Sequence, residues 1–92
     1  MRFSFDPGKS RRLRANPRRG IGFEEAYELF YGPYYLDQIL DDPEQWVAIG
    51  WVNGLLYSLI YEEREDDEGT YYHLVTLWKS TKAERVKYEE RS

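Results

Sequence analysis

Gln45-Trp46-Val47-Ala48-Ile49-Gly50-Trp51-Val52-Asn53-Gly54-Leu55-Leu56-Tyr57-Ser58-Leu59-Ile60-Tyr61-Glu62-Glu63 decides the fold of this chain. Asn-Gly is the strongest two-residue hairpin signal, because both residues accept the positive φ angles of a type I′ turn. Its flanks are rich in β-branched and aromatic residues, which favour a pleated surface. The stretch therefore predicts strands over Gln45–Val52 and Leu55–Glu63. A charged turn, Arg64–Gly69, leads into a third strand, Thr70–Lys79. Simple alternation turns Tyr72, Leu74, Thr76 and Trp78 to one face, and Tyr71, His73, Val75, Leu77 and Lys79 to the other.

Working outward, Thr81-Lys82-Ala83-Glu84 has the spacing of a capping box and opens a last helix to about Glu90. Upstream, Tyr34 to Glu44 reads as irregular or partly extended, with turn residues at Asp41-Asp42-Pro43. Phe23, Ala26, Tyr27 and Phe30 recur at helical spacing, so Phe23–Tyr31 is predicted as a helix with one apolar face, stopped by Gly32-Pro33. Asp6-Pro7 reads as an N-cap and first helical residue. That helix ends at Asn16-Pro17, since the residue before a proline avoids the helical region. Phe3 and Phe5 mark a short strand before it. The element order β-α-α-β-β-β-α predicts a single α+β domain over residues 1–92, an antiparallel meander with its helices on one side.

Charge divides the chain. Residues 1–20 hold seven basic side chains and one acid, and the remainder holds six basic and sixteen acidic, so a net charge of −4 hides segments of +6 and −10. A cationic end on an acidic body points to an anionic partner: nucleic acid phosphate first, an acidic protein second. With no cysteine and one histidine, disulfides, thiol catalysis and a structural zinc site are excluded or disfavoured. No apolar run approaches the ~20 residues that span a bilayer. The expectation is a cytoplasmic protein without membrane contact, metal or cofactor.

Several segments together resemble the BrnT-like toxins of bacterial type II toxin–antitoxin pairs. They are Phe3-Ser4-Phe5-Asp6-Pro7-Gly8-Lys9, Gly20-Ile21-Gly22-Phe23-Glu24-Glu25-Ala26, Trp46-Val47-Ala48-Ile49-Gly50 and Lys79-Ser80-Thr81-Lys82-Ala83-Glu84-Arg85. The resemblance implies a RelE-like fold and metal-independent cleavage of RNA. It also implies an antitoxin partner of the ribbon-helix-helix type, through which alone the pair contacts DNA. The chain departs from the family pattern at Arg18-Arg19-Gly20, where Lys-His-Gly is common. Gln45 and Trp78 stand where basic residues are usual.

Metal-free RNA cleavage needs a base for the 2′-hydroxyl, a cation for the phosphorane and an acid for the leaving oxygen. His73 is the one side chain that titrates near neutrality and is the candidate proton shuttle; the plainer alternative is a half-buried histidine with an ordinary hydrogen bond. Lys79, at a strand end and a basic family position, is the candidate contact to the scissile phosphate, or a solvated lysine. Lys9, Arg12, Arg18 and Arg19 are expected to track an RNA backbone, or else to pair with the acidic body of the chain or with an acidic antitoxin. Lys82, one turn from Arg85, is a weaker phosphate candidate. Tyr34, Tyr35 and Trp78 are candidates for an exposed stacking or docking surface. If the departure at Trp78 has removed catalysis, the alternative is a non-catalytic module that keeps an antitoxin-binding surface.

Overall fold

A computed structural model describes residues 2–91. It is an α+β fold built on a five-stranded mixed sheet in the order β1-β5-β4-β3-β2. The strands are β1 (Phe3–Ser4), β2 (Tyr34–Asp41), β3 (Glu44–Val52), β4 (Leu55–Asp66) and β5 (Gly69–Lys79). The helices are α1 (Pro7–Ala15), α2 (Phe23–Ala26, continued by a 3-10 segment, Tyr27–Tyr31) and α3 (Lys82–Glu90). The hairpin reading holds: Val52 pairs with Leu55 across a turn in which Asn53 and Gly54 have φ of 51° and 80°. Asp6 caps α1 through Gly8 N, and Thr81 and Glu84 close the capping box of α3.

Four expectations need correction. Tyr34–Asp41 is a full edge strand, antiparallel to β3, whose alternation is blurred by a register shift between Gln38 and Leu40. The meander is not the whole sheet, because β1 joins β5 in parallel. The charged turn shrinks to Asp67-Glu68, as β4 runs on to Asp66. Finally, the helices do not share one side. The face of Ala48, Val52, Tyr57, Leu59, Leu74 and Leu77 is covered by Leu13, Phe23, Ala26 and Leu29 of α1, α2 and the 3-10 segment. The opposite face, with Val47, Ile49, Leu56 and Ile60, receives Tyr88 of α3. Trp78 Nε1 ties α3 down at Glu84 Oε1, 3.0 Å away. A cavity of about 160 Å³ remains under α3, bordered by Val47, Ile60, Trp78 and Glu84, in keeping with the thin apolar face of that helix.

A bulge sets which side chains of β5 share a face. Ile60 pairs with Thr76 but Tyr61 pairs with Leu74, so Val75 stands unopposed. Alternation then resets. Tyr72 and Leu74 share the α1/α2 face with Leu77, while His73, Thr76 and Trp78 lie on the α3 face.

Besides Leu13 in the core, a buried hydroxyl holds the basic helix α1. Ser10, fully buried, accepts from Phe23 N at 2.8 Å and donates to the Glu24 carboxylate. Gly22 lets the chains approach this closely, because a Cβ there would lie 2.5 Å from Ser10 Oγ. Arg14 completes the junction with Glu24 at 2.6 Å and Glu25 at 3.1 Å.

Candidate functional site on the open sheet face

Beyond the reach of α3, the same sheet face carries a polar row across four strands. Ser4 of β1 stands beside His73 of β5, His73 beside Glu62 of β4, and Glu62 beside Gln45 of β3. Neighbouring strands lie ~4.8 Å apart, so these groups form one line. Ser4 Oγ and His73 Nδ1 are 2.8 Å apart. Gln45 Nε2 donates to Glu62 Oε2 at 2.7 Å, and Arg64 holds Glu62 Oε1 at 2.5 Å. Tyr71 stands opposite Arg64 in register, with the Arg2 guanidinium 5.5 Å from its ring centre.

The electrostatics follow from these contacts. The hydrogen bond from Gln45 and the contact with Arg64 hold the Glu62 carboxyl below its usual range. His73 is pushed down by partial burial first and by the Arg64 charge second; Lys9 acts in the same direction and Glu62 opposes it. Burial and Arg64 thus favour the neutral imidazole. Its Nε2 has no hydrogen-bond partner among the described residues. The Ser4 hydroxyl can donate to Nδ1 or accept from it, so it supports either tautomer. A neutral imidazole with one nitrogen anchored and the other free can take up a proton and return it.

The two candidate catalytic residues do not meet. Lys79 pairs with Tyr57 on the α1/α2 face, whereas His73 pairs with Glu62 on the other. Six residues of strand, ~3.3 Å each, add about 20 Å between them. Lys79 instead neighbours Arg19: the Tyr57 hydroxyl donates to Arg19 O at 2.5 Å, and Arg19 Nε donates to Leu77 O at 3.2 Å.

The basic end is only partly neutralised from within. Arg2 bridges Asp66 at 2.8 Å, and Arg14 bridges Glu24 and Glu25. Lys9, Arg11, Arg12, Arg18 and Arg19 make no salt bridge with the described residues, and neither do Lys79 and Lys82. Lys9 lies within electrostatic reach of His73, and Arg19 donates to Leu77 O near the end of β5, so two cations without salt bridges among the described residues lie along this strand. Lys82 opens α3.

Of the proposed docking aromatics, Trp78 is spent on holding α3. Tyr34 packs edge-on against Phe30 at 5.2 Å, and Tyr35 packs with the α3 cluster. Among the described residues no three His, Asp or Glu side chains are placed to hold a metal ion, and no helix is long and apolar enough to cross a membrane.

Ser4, Glu62 and Arg64 escape a reading from sequence, and Gln45 enters it only as a departure from a usually basic position. Arg64 falls in what reads as a loop, and only strand register brings Ser4 to His73. No protein-family model matches the chain, and no curated protein matches it in sequence.

Proposed function

We propose that this protein is the toxin component of a type II toxin–antitoxin pair, a BrnT-like chain of RelE-type fold that cleaves RNA without metal. The observation that carries the reading is His73. It is anchored on Ser4 through Nδ1, free at Nε2, and flanked by Arg64 and Lys9. His73 Nε2 takes the proton of a ribose 2′-hydroxyl. The 2′-oxygen attacks phosphorus, the P–O5′ bond breaks, and His73 returns the proton to O5′. The products are a 2′,3′-cyclic phosphate and a 5′-hydroxyl. Arg64, oriented by Glu62, and Lys9 balance the charge of the phosphorane.

Arg12, Arg18, Arg19, Lys79 and Lys82 then serve as contacts to more distant phosphates, which position RNA without reading its sequence. Lys79 moves in this reading from the scissile phosphate to the backbone path. An adjacent ribbon-helix-helix antitoxin neutralises the chain and supplies any DNA contact.

The test is inducible expression in a bacterium with and without the neighbouring gene, followed by incubation of purified protein with RNA. Growth arrest with fragments ending in cyclic phosphate, lost in His73→Ala with the fold intact by circular dichroism, supports the reading. Intact RNA from a folded wild type refutes it. Trp78 favours a second reading in that case. Its indole is committed to Glu84, so the position where the family carries a cation for phosphate contributes none. A non-catalytic antitoxin-binding module would then remain.

A further inference from the structure

We infer that the outer edge of β2 is a docking strand for an extended, basic segment of a partner protein. The strand ends the sheet, so eight residues of backbone lack a partner strand on that side. Proteins usually blunt such an edge with lysine, proline, a short strand or a covering element. β2 is eight residues long and carries no lysine or proline; among the described residues only the irregularity between Gln38 and Leu40 and the Arg91 bond to the Tyr34 carbonyl interrupt its edge. Leu36, Ile39 and Leu40 are 41%, 49% and 45% exposed, and no Lys or Arg occurs between Tyr34 and Glu44. The opposite edge is only two residues long, with the basic α1 immediately after it.

Charge selects the occupant. Asp37, Asp41, Asp42 and Glu44 make the β2 edge and its turn acidic. The chain's own cations already gather there. Lys87 Nζ lies 4.0 Å from Asp37, and Arg91 donates to the carbonyl of Tyr34. Both come from the end of α3 and serve the start of β2. Asp41 and Asp42 have no salt bridge with the described residues.

A second copy pairing β2 with β2 would bring acidic strands together, which is destabilising. An incoming strand with alternating apolar and cationic residues meets both features. Its apolar side chains extend the surface of Leu36, and its cations lie on the face of Asp37. A groove of about 740 Å³ at the start of β2, between Pro33, Tyr34, Leu36, Tyr88 and Arg91, can take an apolar anchor at one end of the segment.

The inference concerns the far edge of the sheet and does not depend on RNA cleavage. Its probe is an eight-residue peptide of alternating lysine and valine with blocked termini, matched to the length of β2. Controls are a glutamate–valine peptide and a lysine–valine peptide N-methylated on alternate residues. The readouts are affinity and amide exchange over Tyr34–Asp41.

The lysine–valine peptide is expected to slow exchange along β2, and both controls are expected not to. Asp41→Lys combined with Asp42→Lys, with the fold checked by circular dichroism, is expected to weaken binding at least about tenfold. Unchanged exchange in β2 overturns the inference, as does equal binding of the N-methylated peptide, which would report charge alone. Protection of β2 that rises with protein concentration and needs no peptide also overturns it, by assigning the edge to a second copy.

Discussion

Replacing Ser10 by alanine tests how the basic helix is fixed to the rest of the molecule. The hydroxyl has two partners, the Phe23 N–H and the Glu24 carboxylate. They respond differently to its loss. Phe23 is fully buried, so its amide keeps no route to water; an orphaned buried donor costs about 1–3 kcal/mol. Glu24 is half exposed and still has Arg14, so it recovers most of its solvation. The sum is about 1–3 kcal/mol, a large share of the roughly 5–15 kcal/mol available to a domain of this kind. In a chain of this size that lowers Tm by about 5–20 °C. Urea unfolding at neutral pH measures it as a lower midpoint with an unchanged slope. Glu24→Gln is the internal control. It keeps an acceptor for Ser10 and removes only an exposed ion pair, so it costs about 1 kcal/mol or less. A loss below about 0.5 kcal/mol in Ser10→Ala, or equal losses in the two variants, would refute the idea that a buried N–H makes this junction.

Three further outcomes are expected. RNA cleavage should have an acid limb below pH 6.5, the ordinary value for histidine, because burial and Arg64 lower the value of His73 and activity falls only as pH drops through that lowered value. Arg64→Gln should slow cleavage and move this limb upward, since it removes a cation that disfavours imidazolium; an unmoved limb in the pH–rate profile would separate Arg64 from His73. Lys79→Ala should weaken RNA binding and reduce the slope of log affinity against log salt by about 1, while leaving the pH limb in place. A shifted limb would return Lys79 to the catalytic centre. Trp78→Phe should cost about 1 kcal/mol by removing the bond to Glu84, and should raise the Glu84 pKa, which the Thr81 backbone and Trp78 bonds hold low against the opposing effect of burial. Amide exchange across α3 should accelerate; unchanged exchange would show that the indole does not anchor the helix.

The parts of the fold that sequence makes legible are those governed by local chemistry. Asn53-Gly54, Asp6-Pro7 and Thr81 through Glu84 each act within four residues, and each does in the structure what its residue types require. The placement of α3 opposite α1 and α2 runs against the one-sided arrangement that element order suggests, though the chain carries a signal for it. Val47-Ala48-Ile49 and Leu55 through Tyr61 are nearly unbroken apolar runs, which mark strands covered on both faces rather than one. β2 is harder, because an exposed edge with four acids nearby has the composition of a loop. The bulge at Val75 is harder still: nothing in Leu74-Val75-Thr76 announces it, yet it decides that Leu77 is core and Trp78 is not. The site inherits this limit. His73 is legible as the lone titrating residue, but Ser4 and Glu62 become its neighbours only through a register set by long-range pairing.

Sheet order turns the charge asymmetry of the sequence into a division of surfaces. Had β1 joined the open side of β2, the basic helix that follows it would lie against the acidic edge, and the two would neutralise each other. Instead β1 pairs with β5, so α1 follows the edge opposite to the acidic, apolar one in the order β1-β5-β4-β3-β2, and Arg19 and Lys79 lie at β5, three strands from β2. Three to four strand spacings of ~4.8 Å are about 14–19 Å, beyond the Debye length of ~8 Å at physiological salt. Each surface therefore presents its own sign to solvent with little screening from the other. A polyanion bound along α1 and β5 leaves β2 free, and a basic strand added to β2 leaves His73 uncovered. A partner that docks on β2 must then reach around the sheet, or carry a second segment, if it is also to block the histidine.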